Sequence, residues 1–122
     1  MHHRCLICCG SNTDYEKSFE VARQELQAYF PTIRFSKGEF TTPHDLENQN
    51  LFFNQIAQFE TSLPAEEVEM LLKGIEHTCG RSIDDKEDIC MDIDLLRYDK
   101  EILREDDYER PYVQNGIKEL KE

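Results

Sequence analysis

The stretch RCLICCGSN, residues 4–12, predicts the first strand of a sheet and the turn that ends it. Its apolar run at residues 5–9 has the length of a buried strand, and free cysteines behave as small buried hydrophobes. A metal site made of Cys5, Cys8 and Cys9 is the alternative. Such a site needs ligands that converge from a loop, whereas alternate residues of a strand point to opposite faces, so the pattern favours the buried strand.

A helix and two short strands follow this turn. Thr13 with Glu16 three residues later matches a capping box, and large apolar side chains recur at helical spacing until Pro31 ends the helix. Residues 32–36 alternate in polarity and predict a second strand. After a bend, residues 39–41 are predicted to continue the strand structure.

The second half of the chain repeats the alternation of strand and helix. Residues 51–60 predict a strand, and Pro64 begins a helix that Gly80 ends. Residues 89–98 predict the last core strand, after a charged loop. The acidic tail is predicted to end in a short helix, residues 116–121.

These elements follow one another in the order β-α-β-β-α-β, which is the ferredoxin-like arrangement. In that arrangement one antiparallel sheet carries two helices on one face. The chain of 122 residues has the usual size of one domain with one core. The sequence therefore predicts a single α+β domain over residues 1–122.

The charge of the chain excludes some classes of partner. It has 26 acidic and 14 basic side chains, a formal net charge of −12. Such a surface repels phosphate backbones, so we expect no nucleic-acid binding. No apolar run approaches the roughly 20 residues that a membrane helix needs, so we expect no membrane insertion. Five cysteines, an odd number without a secretion signal, favour a reducing compartment and hence the cytoplasm.

The sharpest candidate site is the motif Asp92-Ile93-Asp94 on the last strand. The strand period of two places both carboxylates on one face, about 7 Å apart along the strand. Two neighbouring carboxylates repel each other, so a cation is expected between them, and Mg²⁺ binds through one or two carboxylates together with substrate phosphates. The alternative is a solvated or salt-bridged pair of aspartates without a metal.

Three further positions are candidates for ligand contact. Asn54 offers a donor and an acceptor that suit a flat heterocycle, and Phe52 on the same strand face could stack on it. Asn54 could equally bond to a neighbouring loop, and Thr42-Pro43 could be a simple turn. Arg81 could hold a phosphate or balance nearby acidic residues.

Read together and in order, these pieces resemble the 6-hydroxymethyl-7,8-dihydropterin pyrophosphokinase family of folate biosynthesis. The resemblance extends from residue 4 to about residue 113. Its specificity comes from the order of the motifs together with the predicted order of strands and helices. The matching stretches are Gly10-Ser11-Asn12, Thr42-Pro43, Phe52-Phe53-Asn54, Glu60-Thr61-Ser62-Leu63, Ile75-Glu76, Gly80-Arg81, Asp92-Ile93-Asp94-Leu95-Leu96 and Arg110-Pro111-Tyr112.

The resemblance implies roles for the matching residues. Asp92 and Asp94 would hold two Mg²⁺ ions that bridge the phosphates of the co-substrate ATP, and they are the expected catalytic pair. The backbone at Thr42-Pro43 and the side chain of Asn54 would bind the edge of the pterin. Phe52 stands where the family has an aromatic residue that stacks on the pterin.

The side of the site that binds ATP departs most from the family. The resemblance assigns Glu76, Arg81 and Tyr112 to ATP, and Tyr112 stands where the family usually has a histidine. The family's loop before the two aspartates carries several arginines, whereas residues 82–91 contain one lysine and four acids. The family's C-terminal extension is expected to be mostly missing. Arginine clamps on transferring phosphates contribute much of the stabilisation of the transition state.

Two functions therefore stand side by side. The first is an ATP- and Mg²⁺-dependent pterin pyrophosphokinase with weakened phosphate contacts. The second is a family member without catalysis that binds a pterin-like ligand or a protein partner. Retained aspartates without the arginine clamp are compatible with both.

Overall fold

The structure, a computed structural model, describes residues 2–42, 51–81 and 88–121. Strand β1, His3–Ser11, lies between β4, Phe52–Thr61, and β5, Asp92–Tyr98, and is antiparallel to both. Leu6 and Ile7 are both fully buried although neighbouring side chains point to opposite faces. A strand that is apolar on both faces needs cover on both, and helices pack on both faces of this sheet.

Three short strands complete the sheet. β2, Arg34–Phe35, and β3, Glu39–Thr41, both pair with β4, while β6, Glu101–Ile102, pairs with β5 at Arg97 and Tyr98. The strand order is β2-β4-β1-β5-β6, with β3 also beside β4.

Helices cover both faces of the sheet. α1, Tyr15–Tyr29, and α2, Ala65–Thr78, pack on one face, while α3, Glu105–Tyr108, leads into α4, Pro111–Lys121, on the other. The predicted α+β class is confirmed, and α4 adds a packed helix on the face that the prediction left open. None of the helices in the described part of the chain is long and apolar enough to cross a membrane. The core beneath α4 consists of Leu6, Ile56, Leu96, Val113, Ile117 and Leu120.

The predicted capping box at Thr13 and Glu16 is wrong. Asp14 precedes α1 in a left-handed conformation, φ 49°, and no side-chain hydrogen bond caps the helix. The Thr13 hydroxyl instead donates to Asn12 Oδ1 at 3.0 Å, within the turn after β1. Local side-chain bonds in a turn compete with a helix cap for the same hydroxyl.

The start of the terminal helix is also predicted wrongly. α4 begins at Pro111 rather than at Gly116. Proline suits a first helical turn because its missing N–H would have no partner there. Gly116 lies inside the helix because of packing: a Cβ at this position would lie 2.6 Å from Ile56 Cγ1.

The last core strand is shorter than predicted. β5 begins at Asp92 rather than at residue 89, and the pairing of β5 with β1 starts at Asp92 opposite Gly10. The polar loop predicted at residues 42–50 and the charged loop predicted at 81–88 lie largely outside the described residues.

Candidate active site

The register of the three central strands places small and polar residues side by side. Gly10 of β1 lies opposite Asn54 of β4 and opposite Asp92 of β5. In the next row on this face, Cys8 lies opposite Asp94. Because Gly10 has no side chain, the space between Asn54 and Asp92 stays open; a Cβ there would lie 3.1 Å from Asn54 Oδ1.

A cavity of about 530 Å³ lies over this row, a size that suits a small organic ligand. Among the described residues, Glu76 and Arg81 do not line this cavity. They are hydrogen-bonded to the backbone at the start of β5 instead. Pro43 lies outside the described residues. The structure thus brings together most of the predicted site residues: Thr42, Phe52, Asn54, Asp92, Asp94 and Tyr112.

Each aspartate of the pair has an arginine beside it. Arg81 Nη1 lies 3.4 Å from Asp92 Oδ1, and Arg104 Nη2 lies 3.6 Å from Asp94 Oδ1. Burial and the neighbouring charge of Asp92 nevertheless raise the pKa of Asp94 to about 7, while Arg104 acts in the opposite direction. The arginines therefore leave part of the repulsion between the carboxylates uncompensated.

This uncompensated charge fits a divalent cation. Asp92 and Asp94 place carboxylate oxygens on one strand face, and such oxygens are the donor type that Mg²⁺ prefers. The described residues contain no group of three or more histidine, cysteine or acidic side chains that could hold a metal. Asp92 and Asp94 would therefore hold Mg²⁺ together with oxygens of a ligand, as Mg²⁺ does with phosphates.

The repulsion predicts a pH dependence of stability without divalent cations. The folded-state pKa of Asp94, about 7, lies above its ordinary value of 3.8, so the folded protein keeps a proton that the unfolded chain loses between these values. Stability should fall as the pH rises through this window, and Asp94→Asn should remove that loss. We expect the variant to exceed wild type by about 1–3 kcal/mol near about pH 8 and by little near about pH 4.

Denaturant unfolding of both proteins in the presence of a chelator measures this difference. Comparing Asp94→Asn with wild type cancels the other titrating groups. A difference that does not change with pH would contradict the assigned repulsion.

The opposite end of the cavity contains an oriented amide. Asn54 is 7% exposed, and its Nδ2 donates to Thr41 Oγ1 at 2.7 Å. The amide nitrogen is therefore engaged within the protein, and Oδ1 is directed toward the open space at Gly10. Phe52 and Thr42 line the same end of the cavity. This end can accept a hydrogen bond from a flat ligand and offers an aromatic ring beside it.

A groove of about 630 Å³ lies between α2 and β5. Asp94 lines both the groove and the cavity, so the two spaces meet at Asp94. Lys73 and Arg104 lie in the groove and place positive charge beside Asp94. The other lining residues include Met70, Gly74, His77 and Leu95.

Sequence reasoning missed these two basic residues. Arg104 lies beyond β6 and has no motif around it; only the chain reversal after Tyr98 brings it to Asp94. Lys73 carried a weak signal, since it precedes Glu76 by three residues on the same helix face and pairs with it at 3.1 Å.

The cysteines of β1 lie along a strand and point to different faces of the sheet. Burial, together with the nearby charge of Asp94, raises the pKa of the Cys8 thiol. Its partner is the Tyr112 hydroxyl, to which it is hydrogen-bonded. Cys5 and Cys9 are buried in the core of the other face. The prediction of a buried strand is confirmed.

Comparison with known proteins identifies the family. The model of the 7,8-dihydro-6-hydroxymethylpterin-pyrophosphokinase family matches residues 6–122. No curated protein matches the sequence of the chain. Because the family match covers nearly the whole sequence, the chain belongs to the 7,8-dihydro-6-hydroxymethylpterin-pyrophosphokinase family.

Proposed function

We propose that the protein transfers pyrophosphate from ATP to 6-hydroxymethyl-7,8-dihydropterin in folate biosynthesis, the reaction that its family implies. The observation that supports this most is the position of Asp94 between the cavity and the groove. A pterin in the cavity and ATP in the groove would meet at the aspartate pair. Such juxtaposition of two reactants contributes much of the rate in a reaction of this kind.

The pterin is proposed to bind at the end of the cavity with the oriented amide. Asn54 Oδ1 would accept a hydrogen bond from the pterin edge, and Phe52 would stack on its ring. The backbone at Thr42-Pro43 would complete the edge contacts, as the family resemblance implies. The hydroxymethyl group would then point along the row toward Asp92.

ATP is proposed to bind in the groove between α2 and β5. Lys73 and Arg104 would contact its phosphates, and the apolar surfaces of Met70 and Leu95 would support its base. Tyr112 lines the cavity on the side of the aspartates, where it could reach the transferred phosphates. Lys73 and Arg104 thus supply part of the positive charge that the sequence lacks in the loop before β5.

The aspartate pair is proposed to hold two Mg²⁺ ions. The ions would neutralise phosphate charge and polarise the phosphoryl group under attack. Asp92 and Asp94 would hold the ions between the two substrates, and the walls of the cavity would hold the pterin hydroxyl near the β-phosphorus. The hydroxyl oxygen would form a bond to that phosphorus while the bond from the phosphorus to the bridging oxygen of AMP breaks. AMP would leave with that oxygen, and the hydroxyl proton would pass to solvent. We assign no general base, since positioning and charge neutralisation dominate phosphoryl transfer.

Release of AMP tests the reaction directly. The protein is incubated with ATP, Mg²⁺ and 6-hydroxymethyl-7,8-dihydropterin, and AMP and the pterin diphosphate are separated and quantified. We expect both products in equal amounts, and none without Mg²⁺ or without the pterin. Absence of turnover at high enzyme concentration would refute the proposed catalysis.

A second candidate is a binding protein without catalysis. It is favoured by the pairing of each aspartate with an arginine, and by the pairing of Arg110 in the cavity with Asp107 at 3.1 Å. Calorimetry separates the candidates. Pterin binding that is independent of ATP would support the binding protein, whereas tight ATP binding that requires Mg²⁺ would support the enzyme.

The proposed location is the cytoplasm. No disulfide joins the described cysteines, two of which lie in the core, and a reducing compartment preserves them in this form. Because the net charge of −12 repels phosphate backbones, nucleic acid is an unsuitable partner.

A further inference from the structure

The N–H of Ile93, between the two aspartates, has a partner outside the sheet. Within the described part of the chain, β6 pairs with Arg97 and Tyr98 of β5 and does not extend to Ile93. The side chain of Glu76 takes the place of a neighbouring strand there: its Oε2 accepts the Ile93 N–H at 2.8 Å.

The carboxylate that makes this bond is held in place on α2. Glu76 is buried, with 6% of its surface exposed, and Lys73 Nζ lies 3.1 Å from the same Oε2 atom. A charged acceptor makes a stronger and shorter hydrogen bond than a neutral one. The position of Ile93 relative to α2 is therefore fixed by a buried hydrogen bond.

Arg81 contacts the two residues that precede Ile93 in β5 and at its start. Its Nη1 donates to the Met91 carbonyl at 3.0 Å and lies 3.4 Å from Asp92 Oδ1. The Arg81 N–H in turn donates to the Glu76 carbonyl at 3.0 Å. Glu76 and Arg81 therefore act together on three consecutive residues, Met91, Asp92 and Ile93.

We propose that Glu76 is a positioning residue for the two aspartates, and that it contacts neither substrate. Glu76 lines neither the cavity nor the groove among the described residues, although the resemblance had placed it beside ATP. Its bond to Ile93 fixes the backbone from which Asp92 and Asp94 project, against the repulsion between them. The inference rests on the proposed function, because the aspartates are taken as metal ligands.

Two substitutions separate position from charge. Glu76→Gln loses the charge but keeps an oxygen at the same reach, so the Ile93 bond survives. Glu76→Asp keeps the charge but shortens the side chain by one methylene, so the bond is lost. Glu67→Gln on the exposed face of α2 is the matched control, since it removes the same charge without touching β5.

The measurement is the affinity for Mn²⁺ alone, by electron paramagnetic resonance, below the melting temperature of every variant. We expect Glu76→Asp to weaken Mn²⁺ binding about tenfold or more, as the loss of a residue that orients a metal ligand does. The Mn²⁺ affinity of Glu76→Gln should stay within about threefold of the wild-type affinity, and that of Glu67→Gln should equal the wild-type affinity. The same ranking should hold with ATP present, because the effect acts on the aspartates.

Four results would overturn the inference. Equal Mn²⁺ affinity in wild type and Glu76→Asp, even with a lower melting temperature, would leave Glu76 only structural. Weaker Mn²⁺ binding by Glu76→Gln but not by Glu76→Asp would show that the charge of Glu76, and not its bond to Ile93, supports the metal site. A loss seen only with ATP would indicate direct contact with the nucleotide. Absence of Mn²⁺ binding by wild type would remove the metal site itself, and the inference with it.

Discussion

Asp92→Asn and Asp94→Asn should each abolish Mg²⁺-dependent nucleotide binding and reduce pyrophosphate transfer by several powers of ten. The reason is the geometry of the pair: both carboxylates line the cavity, Asp94 also lines the groove, and each would supply an oxygen ligand to the ion. An amide keeps the shape but loses the charge that holds the ion. Metal clamps on phosphates account for a large part of the stabilisation of the transition state.

Calorimetry with ATP and Mg²⁺ measures the binding, and AMP release measures the reaction. Asp106→Asn, which removes one exposed charge from α3, is the matched control and should behave like wild type. In the absence of metal, Asp94→Asn should melt no lower than wild type, because repulsion is relieved. Lower melting temperatures for both variants with unchanged nucleotide affinity would instead show that the aspartates only bind Arg81 and Arg104.

Gly116→Ala should destabilise the fold, although alanine is the better helix former. A Cβ at residue 116 would lie 2.6 Å from Ile56 Cγ1 and 2.8 Å from Ile56 Cβ. Ile56 is buried in β4, and its β-branched side chain has little freedom to move away. Relief therefore requires α4 to shift from the sheet, and we expect a loss of about 1–3 kcal/mol in the free energy of unfolding.

Gly74→Ala is the matched control inside another helix. A Cβ there meets nothing within 4 Å, so this substitution should raise the stability by about 0.5–1 kcal/mol through helix propensity alone. Denaturant unfolding of both variants gives the two changes. Gains of similar size at both glycines would contradict the close packing of α4 on β4.

The shift of α4 in Gly116→Ala should also affect the site. Tyr112 and Val113 of α4 line the cavity, so pterin affinity should fall together with stability. Unchanged pterin affinity would show that the wall formed by α4 does not contact the ligand.

Short-range periodicity determined much of this fold. The alternation along residues 51–60 predicted that Phe52 and Asn54 share a face, and both line the cavity. The same period of two predicted that Asp92 and Asp94 lie together on one face. Period-based predictions succeed here because neighbouring side chains of a strand have fixed directions.

The local bonds at helix ends were less predictable. The sequence pattern of a capping box at Thr13 was present, yet the hydroxyl bonded within the preceding turn. The glycine at 116 resembled a helix boundary and instead allows two elements to approach closely. Both misreadings have one cause: a local pattern does not reveal which of several competing partners is in reach.

By itself, the sequence determined the class of the fold, the strand faces and the pair of carboxylates, because these depend on residues close together in the chain. Only the tertiary structure decided which side chains surround that pair. Arg104 reaches Asp94 across a chain reversal, and Glu76 bonds to Ile93 from a different element. Contacts of this kind depend on strand register and helix packing, which sum over the whole core and leave no mark at any single position of the sequence.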